Sequence, residues 1–266
     1  MAELGRNDMS DFEAKLSLVG GPTLLIQMNG VRLLTDPTFD EPSEYESSGI
    51  VLKKTTGPAI SAEAIGAVDA VLVSHEQHLD NLDRAGRAFL PRAKNVFTTR
   101  AGAPKLGANA VGLATWETQT FEGRNGGRLH ITATPARHGP HGIEPMSGDV
   151  AGFAIGVDEP GDAIYATGDT VWYQGVAEVA QRFRPRLVIA FAGAARPRGP
   201  FHVTMDNNDA IETAAAFPNA KIVAIHNDGW AHFSESAADL ERVFERFGLG
   251  KRLIKIAPGE TISVKL

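Results

Sequence analysis

The sequence contains no cysteine. Disulfides and thiolate metal sites are therefore excluded, and any bound metal must rest on His, Asp or Glu. It also lacks an excess of positive charge: 26 Lys and Arg stand against 32 Asp and Glu, a net charge of −6. A protein that grips a nucleic-acid backbone usually carries a basic face. Here the basic residues are scattered, in small clusters such as Arg182, Arg184 and Arg186, so nucleic acid is not expected as a partner. No apolar run approaches the ~20 residues that span a bilayer. Residues 1–13 are polar and acidic and do not read as a signal peptide, so a cytoplasmic protein with no membrane partner is expected.

Low-complexity segments and linkers are absent too. A polar tail over 1–12 followed by one domain over 13–266 is the simplest division of a chain this long. Residues 15–19, 23–28 and 31–34 read as consecutive strands, with Asn29-Gly30 as a two-residue hairpin turn. Residues 40–58, rich in Asp, Glu, Pro, Ser and Gly, read as a surface loop bordering a cleft. Ser61 caps a short helix ending at Gly66. A strand over 70–73 then leads to helical spacing over 80–90. Strands follow at 95–98, 111–113, 118–121, 129–134, 152–157, 163–166, 187–191 and 222–225. A final pair spans 253–256 and 261–264. Helices are expected at 101–106, 176–183 and 209–217, with a last one capped by Ser234 and running to Phe247. Many strands with interspersed helices indicate a layered α/β architecture.

What is present is chemistry at strand ends. The strand over 70–73 runs into Ser74-His75-Glu76-Gln77-His78-Leu79-Asp80-Asn81, and the strand over 129–134 into Pro135-Ala136-Arg137-His138. The strand over 163–166 runs into Thr167-Gly168-Asp169-Thr170, and the strand over 222–225 into His226. If these strands are parallel, their ends meet on one edge. Five of the eight histidines, His75, His78, His138, His226 and His202, are candidates to gather there. Imidazole and carboxylate are suitable ligands for Zn²⁺, Mn²⁺ or Fe²⁺ when no thiolate is available. A lone His after a strand is more often a surface or hydrogen-bonded residue, but four such clusters together point to metal.

These residues resemble the ligand series of the metallo-β-lactamase superfamily, written H-x-H-x-D-H with a later His, Asp and His. Leu33-Leu34-Thr35-Asp36-Pro37 and Gly168-Asp169-Thr170 resemble two further motifs of that family. His202-Val203-Thr204-Met205, followed by Asp209-Ala210, resembles the L-ascorbate-6-phosphate lactonase-like branch. The resemblance implies a four-layer αβ/βα sandwich with one or two divalent ions per chain, Zn or Mn, with Fe or Ni as further options. It implies that His75, His78 and His138 hold one ion, that Asp80 and His226 hold the other, and that Asp169 bridges. The first motif departs from the family: it has one extra residue, so alignment from the strand makes His75 the first ligand and alignment from Asp80 makes it Glu76. Asn81 stands where the family has its last motif His, and its carbonyl oxygen is a weaker ligand for Zn²⁺.

The expected activity is hydrolysis of a small substrate (a lactone, an amide or a phosphoester) by hydroxide that a metal makes available at neutral pH. Asp80 is expected to orient the nucleophile and shuttle its proton, and His202 to reach the substrate or a metal. Asp36 is a candidate to support a ligating histidine from behind, or else caps the Pro37 turn. His141, Trp172, Tyr173, Trp230 and His232 are candidate pocket residues, and His130, mid-strand, is read as structural or surface. Arg196 and Arg198 are either a solvated loop or a grip for an anionic group. Specificity is expected from residues 37–58, 139–149, 170–175 and 193–204. A metal-binding sensor without turnover is the alternative, a nuclease is less favoured, and no flavin motif supports a redox role. A homo-oligomer is expected from the general frequency of symmetric assemblies.

Overall fold

The computed structural model describes residues 12–47 and 49–266. The expected tail therefore lies, for residues 1–11, outside the described residues. Phe12 is already part of the fold, since its N–H and C=O pair with Leu266 at 3.3 and 2.8 Å.

The chain builds two seven-stranded sheets and a separate hairpin. The first sheet contains β1 (Glu13–Gly20), β2 (Thr23–Met28), β3 (Val31–Thr35), β6 (Val68–Leu72), β7 (Ala93–Thr99), β8 (Ala110–Leu113) and β16 (Thr261–Lys265). Its order is β16-β1-β2-β3-β6-β7-β8, antiparallel as far as β3 and parallel from β3 onward. The second contains β9 (Thr118–Glu122), β10 (Arg128–Pro135), β11 (Ala151–Gly156), β12 (Ile164–Ala166), β13 (Leu187–Phe191), β14 (Lys221–Ile225) and β15 (Leu253–Ile254). Its order is β15-β14-β13-β12-β11-β10-β9. Strands β12 to β15 are parallel, and β9 to β12 form an antiparallel meander.

The four layers follow from strand alternation. Leu24, Ile26, Leu33, Ala70 and Leu72 of the first sheet meet Leu129, Ile131, Ile155, Ile189, Phe191 and Ile225 of the second in one buried core. Residues between them in sequence face outward. Leu25, Leu34 and Val71 pack under α1 (Ala62–Ile65) and α2 (Arg84–Phe89). Val188, Ala190 and Ile222 pack under α4 (Gln174–Arg182), α5 (Asn207–Ala216) and α6 (Ala237–Arg246). A single turn, α3 (Glu144–Ser147), lies in the loop after β10. The architecture is the αβ/βα sandwich.

Several local expectations need correction. Residues 40–58 are not a plain loop: β4 (Ser43–Ser47) and β5 (Ile50–Lys54) form a hairpin in which Tyr45 pairs with Leu52. Both side chains are buried with Trp230, while Glu44, Val51 and Lys53 face out. The surrounding polar composition concealed this short period-2 pattern. The helix expected over 80–90 begins only at Arg84, because the Asp83 side chain accepts the Gly86 N–H and caps it there. The last helix is capped by Ser236, not Ser234, through a reciprocal capping box with Asp239. Residues 101–106 hold a 3₁₀ turn over Ala103–Lys105. No helix among the described residues is long and apolar enough to cross a membrane.

Candidate metal centre

The C-terminal ends of β3, β6, β10, β12 and β14 converge on one edge, as the strand-end motifs required. Just beyond β6, the Ser74 N–H donates to Asp36 Oδ1 at 2.7 Å. Ser74 Oγ then meets His75 Nδ1 at 2.9 Å, which leaves His75 Nε2 facing the site. His75 Nε2 lies 2.9 Å from His78 Nδ1, and His138 Nε2 lies 3.1 Å from the same atom. Behind the ring, His138 Nδ1 is 2.7 Å from the Val203 carbonyl. A carbonyl only accepts, so Nδ1 carries the proton and Nε2 presents its lone pair. The three ligand nitrogens all lie within 4.8 Å of one another, and the two separations from His78 approach the edge length of a tetrahedron with metal–nitrogen bonds of about 2.0–2.1 Å.

Asp169 reaches this cluster because Gly168 precedes it at φ +60°. A Cβ there would come within 2.5 Å of the Ala151 carbonyl and 3.0 Å of Ser74 Cβ, so only glycine fits. Asp169 Oδ2 is 3.6 Å from His138 Nε2 and 4.0 Å from His75 Nε2. Its Oδ1 faces His226 Nε2 at 3.4 Å. One carboxylate thus looks toward two donor sets. His226 itself has φ +57°, a left-handed conformation costly for a non-glycine residue and frequent at functional sites. Asp80 Oδ2 lies 3.9 Å from His226 Nε2 and 2.9 Å from His232 Nε2. Asn81 is fully buried and donates from Nδ2 to Asp169 Oδ1 at 3.2 Å.

Burial and charge set the protonation states. Burial, reinforced by neighbouring imidazoles, holds His75 well below its ordinary range and lowers His78 to about 4. Burial opposes ionisation of Asp80 and Asp169, but imidazole neighbours overcome it. His232 and His226 hold Asp80 below the usual carboxylate range, and His226 and His138 do the same for Asp169. Neutral imidazoles beside ionised carboxylates are the states that bind a divalent cation. Asp169 Oδ2, Asn81 Oδ1 and both ring nitrogens of His226 are buried without a hydrogen-bond partner. Buried polar atoms without partners are rare and call for an explanation. Here the compact trio of His75, His78 and His138 fits a divalent ion, with Asp169 beside it and Asp80 and His226 next to that carboxylate.

The cluster opens into a cleft with a cavity volume of ≈ 40 Å³. His78, Asp80 and His138 form its floor. Its walls are mostly apolar: Ile50 and Leu52 from the hairpin, Ile143 and Met146 from the α3 region, and Pro197 and Val203. Arg198 also lines it.

A profile of the family described as Beta-lactamase superfamily domain matches residues 31–227, well over half of the chain. The chain belongs to this superfamily. The UPF0173 protein YddR of Bacillus subtilis is 24% identical over 92% of this chain and 98% of its own length. A UPF0173 metal-dependent hydrolase of Methanosphaerula palustris is 27% identical over 53% of this chain and 61% of its own. The isothiocyanate hydrolase from Delia radicum gut bacteria shares the fold at TM-score 0.82 and 26% identity, covering 95% of this chain and 100% of that one. This places the chain among the metal-dependent hydrolases of the superfamily.

Not every residue singled out in the sequence is at the centre. Glu76 is directed away: its carboxylate meets Lys105 Nζ at 2.6 Å and Arg87 Nη2 at 3.5 Å. Between His75 and Glu76, the structure brings His75 to His78 and His138. His202 is outside the cleft, 3.2 Å from Asp209 and 3.7 Å from Asp206. These two carboxylates at the start of α5 raise its pKa. His141 is 92% exposed and does not line the cleft. Trp172 and Tyr173 pack on the helical layer, with the Arg137 guanidinium 4.6 Å over the Tyr173 ring, so residues 170–175 leave the cleft to the other three loops. Trp230 is buried behind Leu52. Asp36 grips the Ser74 backbone instead of an imidazole N–H. His130 bonds Thr120 Oγ1 at 2.8 Å within the meander. Wall residues such as Ile50 and Ile143 are not evident from sequence, because apolar residues in loops carry no chemical signature.

Proposed function

We propose that this chain hydrolyses a small, largely apolar molecule at one electrophilic carbon or phosphorus. The observation that supports this most is the trio of His75, His78 and His138, two of which, His78 and His138, lie on the floor of an apolar-walled cleft. His75, His78 and His138 would hold one divalent ion, Asp80 and His226 would hold a second, and Asp169 would serve both. Zn²⁺ or Mn²⁺ suits the mixed imidazole and carboxylate donors. When bound, the ions supply hydroxide at neutral pH and Lewis acidity toward the developing oxyanion.

The chain's own residues do the rest. Asp80 Oδ2 faces both His226 and the cleft, and accepts and returns the proton of the attacking water. The Val203 carbonyl fixes the His138 tautomer, and Ser74 Oγ orients the His75 ring from behind. Ile50, Leu52, Ile143 and Val203 exclude water and take the apolar arm of the substrate. The apolar walls above the imidazoles favour a small substrate with an apolar arm. The relative named as an isothiocyanate hydrolase supports cumulated electrophiles as the first class to test. The resemblance of residues 202–205 and 209 to the L-ascorbate-6-phosphate lactonase-like branch makes lactones the second.

The test is turnover by chelator-stripped and Zn²⁺- or Mn²⁺-reloaded protein on alkyl and aryl isothiocyanates, lactones, amides and phosphoesters. Metal-dependent turnover of at least one class is expected, abolished by Asp169→Ala. Full metal uptake without turnover of any class would favour the sensor reading, which rests on Asn81 in the motif.

A further inference from the structure

His232 lies outside every motif of the sequence, six positions beyond His226 and past the turn that holds Trp230. We infer that His232 supplies the imidazole missing from the second metal position, taking the place that Asn81 leaves unfilled. This inference rests on the metal-dependent reading above.

The donor count of that position motivates it. Asp80, His226 and the Oδ1 side of Asp169 give one imidazole and two carboxylates. Asn81 adds only an amide, and its Nδ2 is already committed to Asp169 Oδ1. A second imidazole stands beside Asp80. His232 Nε2 stands 2.9 Å from Asp80 Oδ2, the same separation as His75 Nε2 from His78 Nδ1. Two donors on one ion with bonds of about 2.0–2.2 Å sit about 3 Å apart. The pair therefore has the spacing of neighbouring ligands.

The ring is also held in place. Its side chain is 8% exposed. The His232 carbonyl accepts the Arg196 N–H at 2.8 Å. Phe233 and Trp230 flank the imidazole, with ring centroids at 4.8 and 5.9 Å. Its Nδ1 is buried without a hydrogen-bond partner, so the flanking rings and the Arg196 contact set its orientation. The same 2.9 Å contact would also serve a simple hydrogen bond that orients Asp80, and the experiment separates the two roles.

Wild type, His232→Ala, Asn81→His and the double variant Asn81→His/His232→Ala are stripped with chelator and titrated with Co²⁺, reading stoichiometry, affinity and the visible spectrum. Circular dichroism and the affinity of the first ion report that each variant is folded. Wild type is expected to take two ions. His232→Ala should keep the first at wild-type affinity and weaken the second at least about 100-fold, the upper end of what losing a residue behind a ligand costs. The double variant should regain the second ion, because an imidazole returns from the Asn81 side. Two ions at wild-type affinity in His232→Ala would overturn the inference while leaving the proposed function intact. One ion in wild type, or no recovery in the double variant, would overturn it as well. No ion in wild type would remove the metal-dependent reading itself.

Discussion

Asp36 and Ser74, 38 residues apart, are joined by a 2.7 Å hydrogen bond from the Ser74 N–H to Asp36 Oδ1. Asp36 is fully buried, adopts φ +28° at the end of β3, and is pushed well above the ordinary carboxylate range by that burial. It anchors the backbone one residue before His75, so the position of His75 depends on it.

Replacing Asp36 with Ala should therefore act at a distance. The Ser74 N–H would be left buried and unsatisfied, at a cost of about 1–3 kcal/mol in stability. Metal affinity should fall about 10–100-fold as His75 loses its fixed position. Urea unfolding and metal competition check the two effects separately. Unchanged metal affinity would show that the Ser74 loop holds itself.

Asp169→Ala should remove metal and activity together, with activity falling at least about 100-fold. Asp169 lies between His138 and His226 and is fully buried, so the change also deletes a group whose burial is costly without a cation. The metal-free variant should stay folded by circular dichroism. A full complement of metal in this variant would end the bridging assignment.

The Lys54–Asp83 pair ties the β4–β5 hairpin to the start of α2. Lys54 Nζ is 2.9 Å from Asp83 Oδ2, and the two side chains are 4% and 0% exposed. Asp83 also accepts the N–H groups of Phe39, Asp40 and Gly86. Lys54→Ala should destabilise by about 3–5 kcal/mol, since it strands a buried carboxylate. The hairpin lines the cleft through Ile50 and Leu52, so KM for the best substrate should rise as well. The double change Lys54→Met/Asp83→Asn should recover part of the stability in urea unfolding.

The metal-free protein should lose stability on acidification from about pH 6.5 to 4. His75 and His78 are held below their unfolded pKa, His78 at about 4. In this window the unfolded chain binds protons that the folded chain refuses, so stability rises with pH, by at most about 1.4 kcal/mol per unit for each imidazole. His226 and His202 are shifted upward, so their linkage acts above pH 6.5, while Asp36 and Glu235, raised by burial, take up protons on folding within this window and offset part of the loss from the two imidazoles. Thermal unfolding of chelated protein across this range checks it, and a flat Tm would contradict the burial argument.

Much of the fold was legible because strands with both faces covered are nearly continuous apolar runs with chemistry at their ends. The strand from Leu187 to Phe191 is one such run. The hairpin over residues 43–54 was not legible: its inward positions are few, and it becomes a hairpin by packing Tyr45 and Leu52 on Trp230, far along the chain. The choice between His75 and Glu76 could not be made from spacing. It turns on Lys105 and Arg87, which draw the Glu76 carboxylate to the other side of the loop. His202 carried a family motif yet pairs with Asp209 at the start of α5.

The sequence by itself determined the donor chemistry, since a chain without cysteine but with His and Asp at four strand ends binds metal through nitrogen and oxygen. It also determined the superfamily and the layered architecture, because both are written in local periodicity and short motifs. Tertiary structure alone decided which rings share an edge of about 3 Å, that His232 stands beside Asp80, and that the cleft walls are apolar. The His232–Asp80 relation alone joins residues 152 positions apart. They depend on how two sheets pack and where loops cross, which no local pattern encodes.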